Sequence, residues 1–273
     1  MFACCYSSDQ SVYVPRVYLK VEDILARKMK RIFTILKIDS ITGDLPVECS
    51  LEQYQNFVYN QQSLGSCTAN AFCGGFRIKA NCPKNVEKKL SSFIPSRLFF
   101  YYNERAIENT TNTDSGANVC DGLKYVLENG ICSESSCPYV ISQFAKKPSD
   151  ACYKEALSYK ISSYGLIPQN SNVLDKIKQM IVQGEPVLIA IKIYESFESL
   201  ETSLTGVVPM PDVSKEKCLG GHEMCLIGYN ELTQRFLVLN SWGILWGHFG
   251  KCFIPYSYLL DTSLTMEISS FYL

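Results

Sequence analysis

The chain changes its hydrophobic period part-way along, and that change limits its fold more than any other feature. Between about residues 67 and 185, apolar side chains recur at helical spacing. Segments 68–80, 95–108, 118–128 and 172–183 each read as a helix. In the third, Val119, Leu123, Val126 and Leu127 share a face and Asn129-Gly130 supplies a stop; the fourth ends at Gly184. Gly74 and Gly75 weaken the first as an isolated helix, so they point to close packing against a neighbour. After Pro186 the pattern becomes that of strands. Segment 187–193 is a buried-strand run, and 224–229, 235–239 and 251–254 are short β-rich stretches between turn residues. Helices first and strands later predict an α+β fold of two lobes with a site between them. A chain of 273 residues has room for both lobes, and no internal repeat interrupts them.

With 26 basic and 27 acidic residues, the overall charge gives no reason to expect a nucleic-acid partner. No run of 18 apolar residues offers a membrane span. The first ten residues lack the charged start and apolar stretch of a secretory signal, which points to a cytoplasmic setting. There, reduced thiols are the default for the 13 cysteines. Cys132 and Cys137, and Cys73 and Cys82, lie close enough in sequence to stand as candidate bridges. No metal or cofactor is expected: no CxxC occurs, the cysteines are scattered, and the chain has two histidines.

Residues 1–45 differ from the rest. Between Arg16 and Lys37 stand seven basic and two acidic residues, a net of +5, with Ile24, Leu25, Met29, Ile32 and Leu36 near helical spacing. The plain reading is an amphipathic helix on the body of the protein. The sharper one is a short propeptide or lid over a cleft. Gly43-Asp44-Leu45-Pro46 closes the segment, leaving 46–273 as the main domain.

Cys67 follows Gly65-Ser66 and opens the first helix. A helix N-terminus favours an anion, so the thiol is expected to have a lowered pKa, as a nucleophile needs. A base must then be found, and only His222 and His248 are available. His248 lies in a glycine-bracketed turn and reads as a surface residue. His222 follows Gly220-Gly221, where the chain can bend closely, and leads into a strand. Eighteen residues on is Asn240, and a hairpin turning at 230–234 would bring it beside His222, where its amide oxygen fixes the tautomer. Trp242 could shield that bond from water, and the Gln61 amide can donate hydrogen bonds six residues before Cys67.

These residues resemble the papain family of cysteine proteases. The matches are Gln61, Gly65-Ser66-Cys67, Gly221-His222, Gly228-Tyr229 and Asn240-Ser241-Trp242-Gly243, in that order, with Trp246-Gly247 and Gly250 extending the last. Pro95-Ser96-Arg97-Leu98-Phe99 and Gly206-Val207-Val208-Pro209 are similar to the branch seen in bacteria and large DNA viruses, so a virion is a second setting the resemblance allows. It implies a helical left lobe carrying Cys67 and an antiparallel β-barrel-like right lobe carrying His222 and Asn240, with the cleft between. It implies a polypeptide substrate, Cys67 as nucleophile, His222 as its acid and base, Asn240 as orienter, and Gln61 with the Cys67 N–H as oxyanion hole. Gly116 and Gly221 fall where substrate backbone would run, and Leu264 and Met266 suggest an apolar second subsite.

The sequence also departs from the family. Leu64 stands where a bridging cysteine is frequent, Thr68 where a tryptophan is, and residues 1–45 are shorter than a full inhibitory prodomain. The expected activity is an endopeptidase acting through a thioester acyl-enzyme. The device by which some relatives trim C-terminal dipeptides needs a histidine pair that His248 alone cannot supply. A catalytically silent binding or structural protein on this scaffold is the alternative. Acyl transfer to an amine is disfavoured by Asn240, since that chemistry usually orients its histidine with Asp.

Overall fold

A computed structural model describes residues 43–88 and 90–273 together with Tyr18, Val21 and residues 35–38. The helical calls at 118–128 and 172–183 end where their signals say. Helix α1 is Cys67–Asn81, α2 Arg97–Ile107, α3 Val119–Asn129, α4 Asp150–Ala156 and α5 Val173–Val182. Ser96 caps α2 by accepting from the Phe99 N–H, and Asn118 caps α3 by accepting from the Cys120 N–H. Gly130 ends α3 at φ +81°, and a Cβ there would meet the Ala156 carbonyl oxygen at 1.8 Å, so only glycine fits.

The strands are β1 Glu48–Ser50, β2 Ser163–Leu166, β3 Val187–Tyr194, β4 Cys218–Asn230, β5 Arg235–Leu239, β6 Lys251–Pro255 and β7 Thr265–Tyr272. They form one antiparallel sheet in the order β2-β7-β3-β4-β5-β6, with β1 also on β4. The short helices α6 Leu200–Thr205 and α7 Tyr256–Leu260 lie among its connections. Sequence pattern missed β1, β2, α4 and β7. In β7 the run Thr265-Met266-Glu267-Ile268-Ser269-Ser270 mixes polar residues into a buried strand, which hides the period.

Helix α1 is the beam between the lobes. Nearly all of it is buried, and the paired glycines explain how closely it sits: a Cβ on Gly74 would lie 3.3 Å from Leu239 Cδ2, and one on Gly75 3.3 Å from Cys225 Sγ. Lys79, near its far end, is fully buried. Its ammonium pairs with Glu185 and donates to the Phe271 carbonyl, which ties α1 to the C-terminal strand. All eleven described cysteines are free thiols, so neither candidate bridge is formed. Cys132 and Cys137 are nonetheless neighbours, joined by a thiol–thiol hydrogen bond. No helix among the described residues is long and apolar enough to cross a membrane.

Candidate active site

Cys67 is the first residue of α1 and sits against the sheet, packed on Ala190 of β3 and Met266 of β7. On the sheet side, Ile191 pairs with His222 and Ala190 with Glu223. The Glu223 backbone hydrogen-bonds the Cys67 thiol, so the residue next to His222 touches the cysteine directly. The expected hairpin is present: β4 ends at Asn230, β5 begins at Arg235, and these two residues pair. Beyond β5, Asn240 lies beside His222, whose Nε2–H donates to Asn240 Oδ1 at 2.8 Å. The Ser241 N–H donates to the same oxygen at 2.7 Å. The Trp242 ring stacks on the imidazole, centroids 4.9 Å apart and 27° from parallel, and is itself braced edge-on by Trp246 and Phe197. His222 and Asn240 are both buried.

Gln61 is buried beside this group. Its Oε1 accepts from Ser241 Oγ at 2.6 Å and its Nε2 donates to the Leu64 carbonyl at 3.0 Å. The side chain is thus held between the turn before Cys67 and the segment after Asn240. The turn is fixed from the other lobe as well: the Gly65 N–H donates to the Asp114 carboxylate at 3.0 Å, and Ser66 Oγ meets Tyr139 OH at 2.5 Å. Gly116 adopts φ +65°. Its N–H donates to Tyr101 OH at 3.2 Å and its carbonyl accepts from Ser115 Oγ, so both backbone groups are engaged within the lobe. Gly221 pairs with Lys192 on β3. His248 is exposed on its turn. Met266 reaches Cys67, whereas Leu264 is buried in the main core.

One electrostatic expectation is corrected. The Cys67 thiol is not lowered but pushed up to about 12. Burial is the main cause, with the charges of Glu223 and Glu104 adding to it and the hydrogen bond from the Glu223 backbone opposing it. The helix N-terminus is there, but a thiol 1% exposed among carboxyls gains too little from it. Val21 packs on the Cys67–Ala190–Met266 group, and the Tyr18 ring stands edge-on to both His222 and Trp242, centroids 6.4 and 6.5 Å away. Part of the burial therefore comes from the N-terminal segment itself.

Sequence reasoning did not single out the carboxyls. Thr68, where a tryptophan is frequent, gives its hydroxyl to Glu104 of α2 at 2.5 Å, and Glu104 is fully buried. Glu223 and Glu267 are also buried, on either side of Ala190. The available signal was an acidic residue inside an apolar strand run, as in Gly221-His222-Glu223-Met224-Cys225-Leu226.

The model of the papain family cysteine proteases matches residues 45–257. The chain is 37% identical over 213 residues to an uncharacterized peptidase C1-like protein of Acanthamoeba polyphaga mimivirus, covering 76% of this chain and 67% of that one. It is 29% identical over 146 residues to cysteine proteinase 1 of Entamoeba histolytica, covering 50% of this chain and 43% of that protein. Among solved structures it is similar to xylellain, a cysteine protease from Xylella fastidiosa, with 33% identity, a TM-score of 0.76 and coverage of 88% and 94% of the two chains. Procathepsin L 3 of Tenebrio molitor shares the fold at 18% identity, with a TM-score of 0.68 and coverage of 92% and 79%. The chain belongs to the papain family of cysteine proteases: it is a thiol peptidase with the family's two-lobe α+β fold.

Proposed function

We propose that the chain cuts polypeptides internally, with Cys67 as nucleophile. His222 takes the thiol proton through Nδ1, since Nε2–H is committed to Asn240, and later delivers a proton to the leaving amine. Asn240 holds the ring in that tautomer, and Trp242 keeps water from the bond. Gln61 Nε2 and the Cys67 N–H stabilise the oxyanion, a contribution of about 3–4 kcal/mol per donor. Water then releases the acyl group from the thioester. The observation that carries this reading is the His222–Asn240 bond of 2.8 Å under the Trp242 ring, one residue from a backbone group that touches Cys67.

Residues 1–45 act as a short lid on the peptidase domain, 46–273. Tyr18 over His222 and Val21 over Cys67 support this, since both stand where a substrate must lie. The lid accounts for the raised thiol: water and substrate reach Cys67 once it leaves, and desolvation falls. A silent scaffold would instead keep Cys67 inert in every state. Cys67→Ala separates the two. Loss of turnover by at least about 10⁴-fold on internally quenched peptides is expected. Undiminished turnover would reject Cys67 as nucleophile.

A further inference from the structure

The turn before Cys67 is held by a charged clamp. The Gly65 N–H faces the Asp114 carboxylate, and its nitrogen lies 3.0 Å from each of the two oxygens. Asp114 Oδ1 also accepts from Tyr101 OH at 2.5 Å. The same tyrosine oxygen accepts the Gly116 N–H at 3.2 Å. One hydroxyl thus uses both of its roles, and one carboxylate joins two glycine turns. Burial first, and the Asp114 charge second, push the Tyr101 hydroxyl well above the ordinary tyrosine range, so it stays a donor to the carboxylate.

The clamp is anchored from behind. Tyr101 and Arg105 lie one turn apart on α2, and both are fully buried. Arg105 Nη1 donates to the Thr111 and Thr113 carbonyls at 2.8 and 3.1 Å, and its guanidinium lies over the Tyr101 ring, 4.0 Å from the centroid. Segment 111–116 is therefore pinned to a buried helix at both ends, with Asp114 presented between the pins. On the other side of the turn, Tyr139 OH meets Ser66 Oγ and donates to the Gln61 carbonyl at 2.9 Å. Gly65 and Ser66 are the two residues before Cys67. A charged acceptor makes a stronger bond to a backbone N–H than a neutral one does. It is placed where precision matters, because an oxyanion donor works only when held within about 0.5 Å of its productive position.

We propose that Asp114 and Tyr101 are positioning residues: they fix the Gly65-Ser66 turn so that the Cys67 N–H is aimed at the developing oxyanion, and they hold the Gly116 turn in register with it. This rests on Cys67 being the nucleophile and on its N–H being an oxyanion donor. Asp114 acts through the Gly65 N–H, and Tyr101 acts through Asp114.

The test uses the full chain and internally quenched peptides, with kcat expressed per Cys67 titrated to completion by a peptidic epoxide, so that unfolded molecules are not counted. Asp114→Ala should lower kcat about 30-fold and change KM by less than about threefold. Asp114→Asn keeps an oxygen for the Gly65 N–H and should recover most of that loss. Tyr101→Phe keeps the ring under Arg105, removes the donor to Asp114, and should lower kcat about fivefold; if Asp114→Ala does not fold, this variant decides. Methylthiolation of Cys67 by methyl methanethiosulfonate builds no oxyanion, so its rate should stay within about threefold of wild type in every variant. Equal losses in kcat and in methylthiolation would make the pair structural supports and overturn the proposal. A large fall in kcat in Gln61→Ala with none in Asp114→Ala or Tyr101→Phe would overturn the positioning pair alone. Unchanged kcat in Gln61→Ala as well would overturn the oxyanion hole, and undiminished turnover by Cys67→Ala the nucleophile, and the pair with either.

Discussion

His222 and Glu223 are adjacent on β4 yet serve different surroundings. His222 is embraced by groups that satisfy it: Asn240 at 2.8 Å, the stacked Trp242 ring, and Trp246 and Phe197 behind. Glu223 lies beside Cys67, and burial together with the nearby Glu267 charge holds its carboxyl well above the usual carboxylate range. A β-strand alternates its faces, so one residue separates a finished hydrogen-bond network around His222 from a desolvated carboxyl. The finished side suits a part that must not move during the reaction. The desolvated side opposes a thiolate at Cys67 and so bears on when that thiol can react.

Three experiments press on this contrast. The largest effect is expected on the finished side. On the proposed role of Gln61 as an oxyanion donor, Gln61→Ala should lower kcat about 100-fold with a smaller change in KM. A matching fall in KM-controlled binding instead would make Gln61 a substrate contact. Next is the lid. Val21→Asp places a carboxylate against the apolar Cys67–Ala190–Met266 group, and its desolvation cost should lift the segment, raising turnover of the full chain about fivefold and lowering the apparent pKa of Cys67 alkylation. An unchanged rate and pKa would remove residues 1–45 from the control of the site.

The smallest effect concerns Glu104. Burial holds its carboxyl well above the usual range in the folded chain. The folded state therefore keeps a proton that the unfolded state gives up, and stability falls as pH rises through the unfolded pKa toward the folded one. Glu104→Gln keeps an acceptor for the Thr68 hydroxyl and removes this loss. Thermal unfolding should show Tm raised by about 2–4 °C at neutral pH and little changed under acid conditions. A shift of the same size at every pH would mean that packing, not titration, is responsible.

How much could be read in the chain itself follows the same divide. The finished side was legible. Helix α1, the turn at 230–234 and the meeting of Asn240 with His222 follow from local signals: a Gly-Ser turn, a hairpin loop and a fixed spacing. The other side was not. Glu223, Ala190 and Glu267 are brought together across β4, β3 and β7, and β7 could not be seen from a pattern in which Thr265, Glu267 and Ser269 break the apolar run. The thiol's rise was missed because desolvation depends on what covers Cys67, and Val21 is 46 residues away. The buried Lys79–Glu185 pair likewise joins residues 106 apart, beyond any local signal.

The proposed mechanism requires Cys67 to become the reactive thiol despite its raised resting pKa. The chain offers strong competitors: Cys218 is exposed, and a hydrogen bond from Cys132 draws the Cys137 thiol below its ordinary value. Mass mapping of a peptidic epoxide on the full chain, with all 13 cysteines followed, ranks them directly. Modification of Cys67 alone, abolished in His222→Ala, is the expected result. Modification that favours Cys137 or Cys218, or that persists at Cys67 without His222, would contradict it.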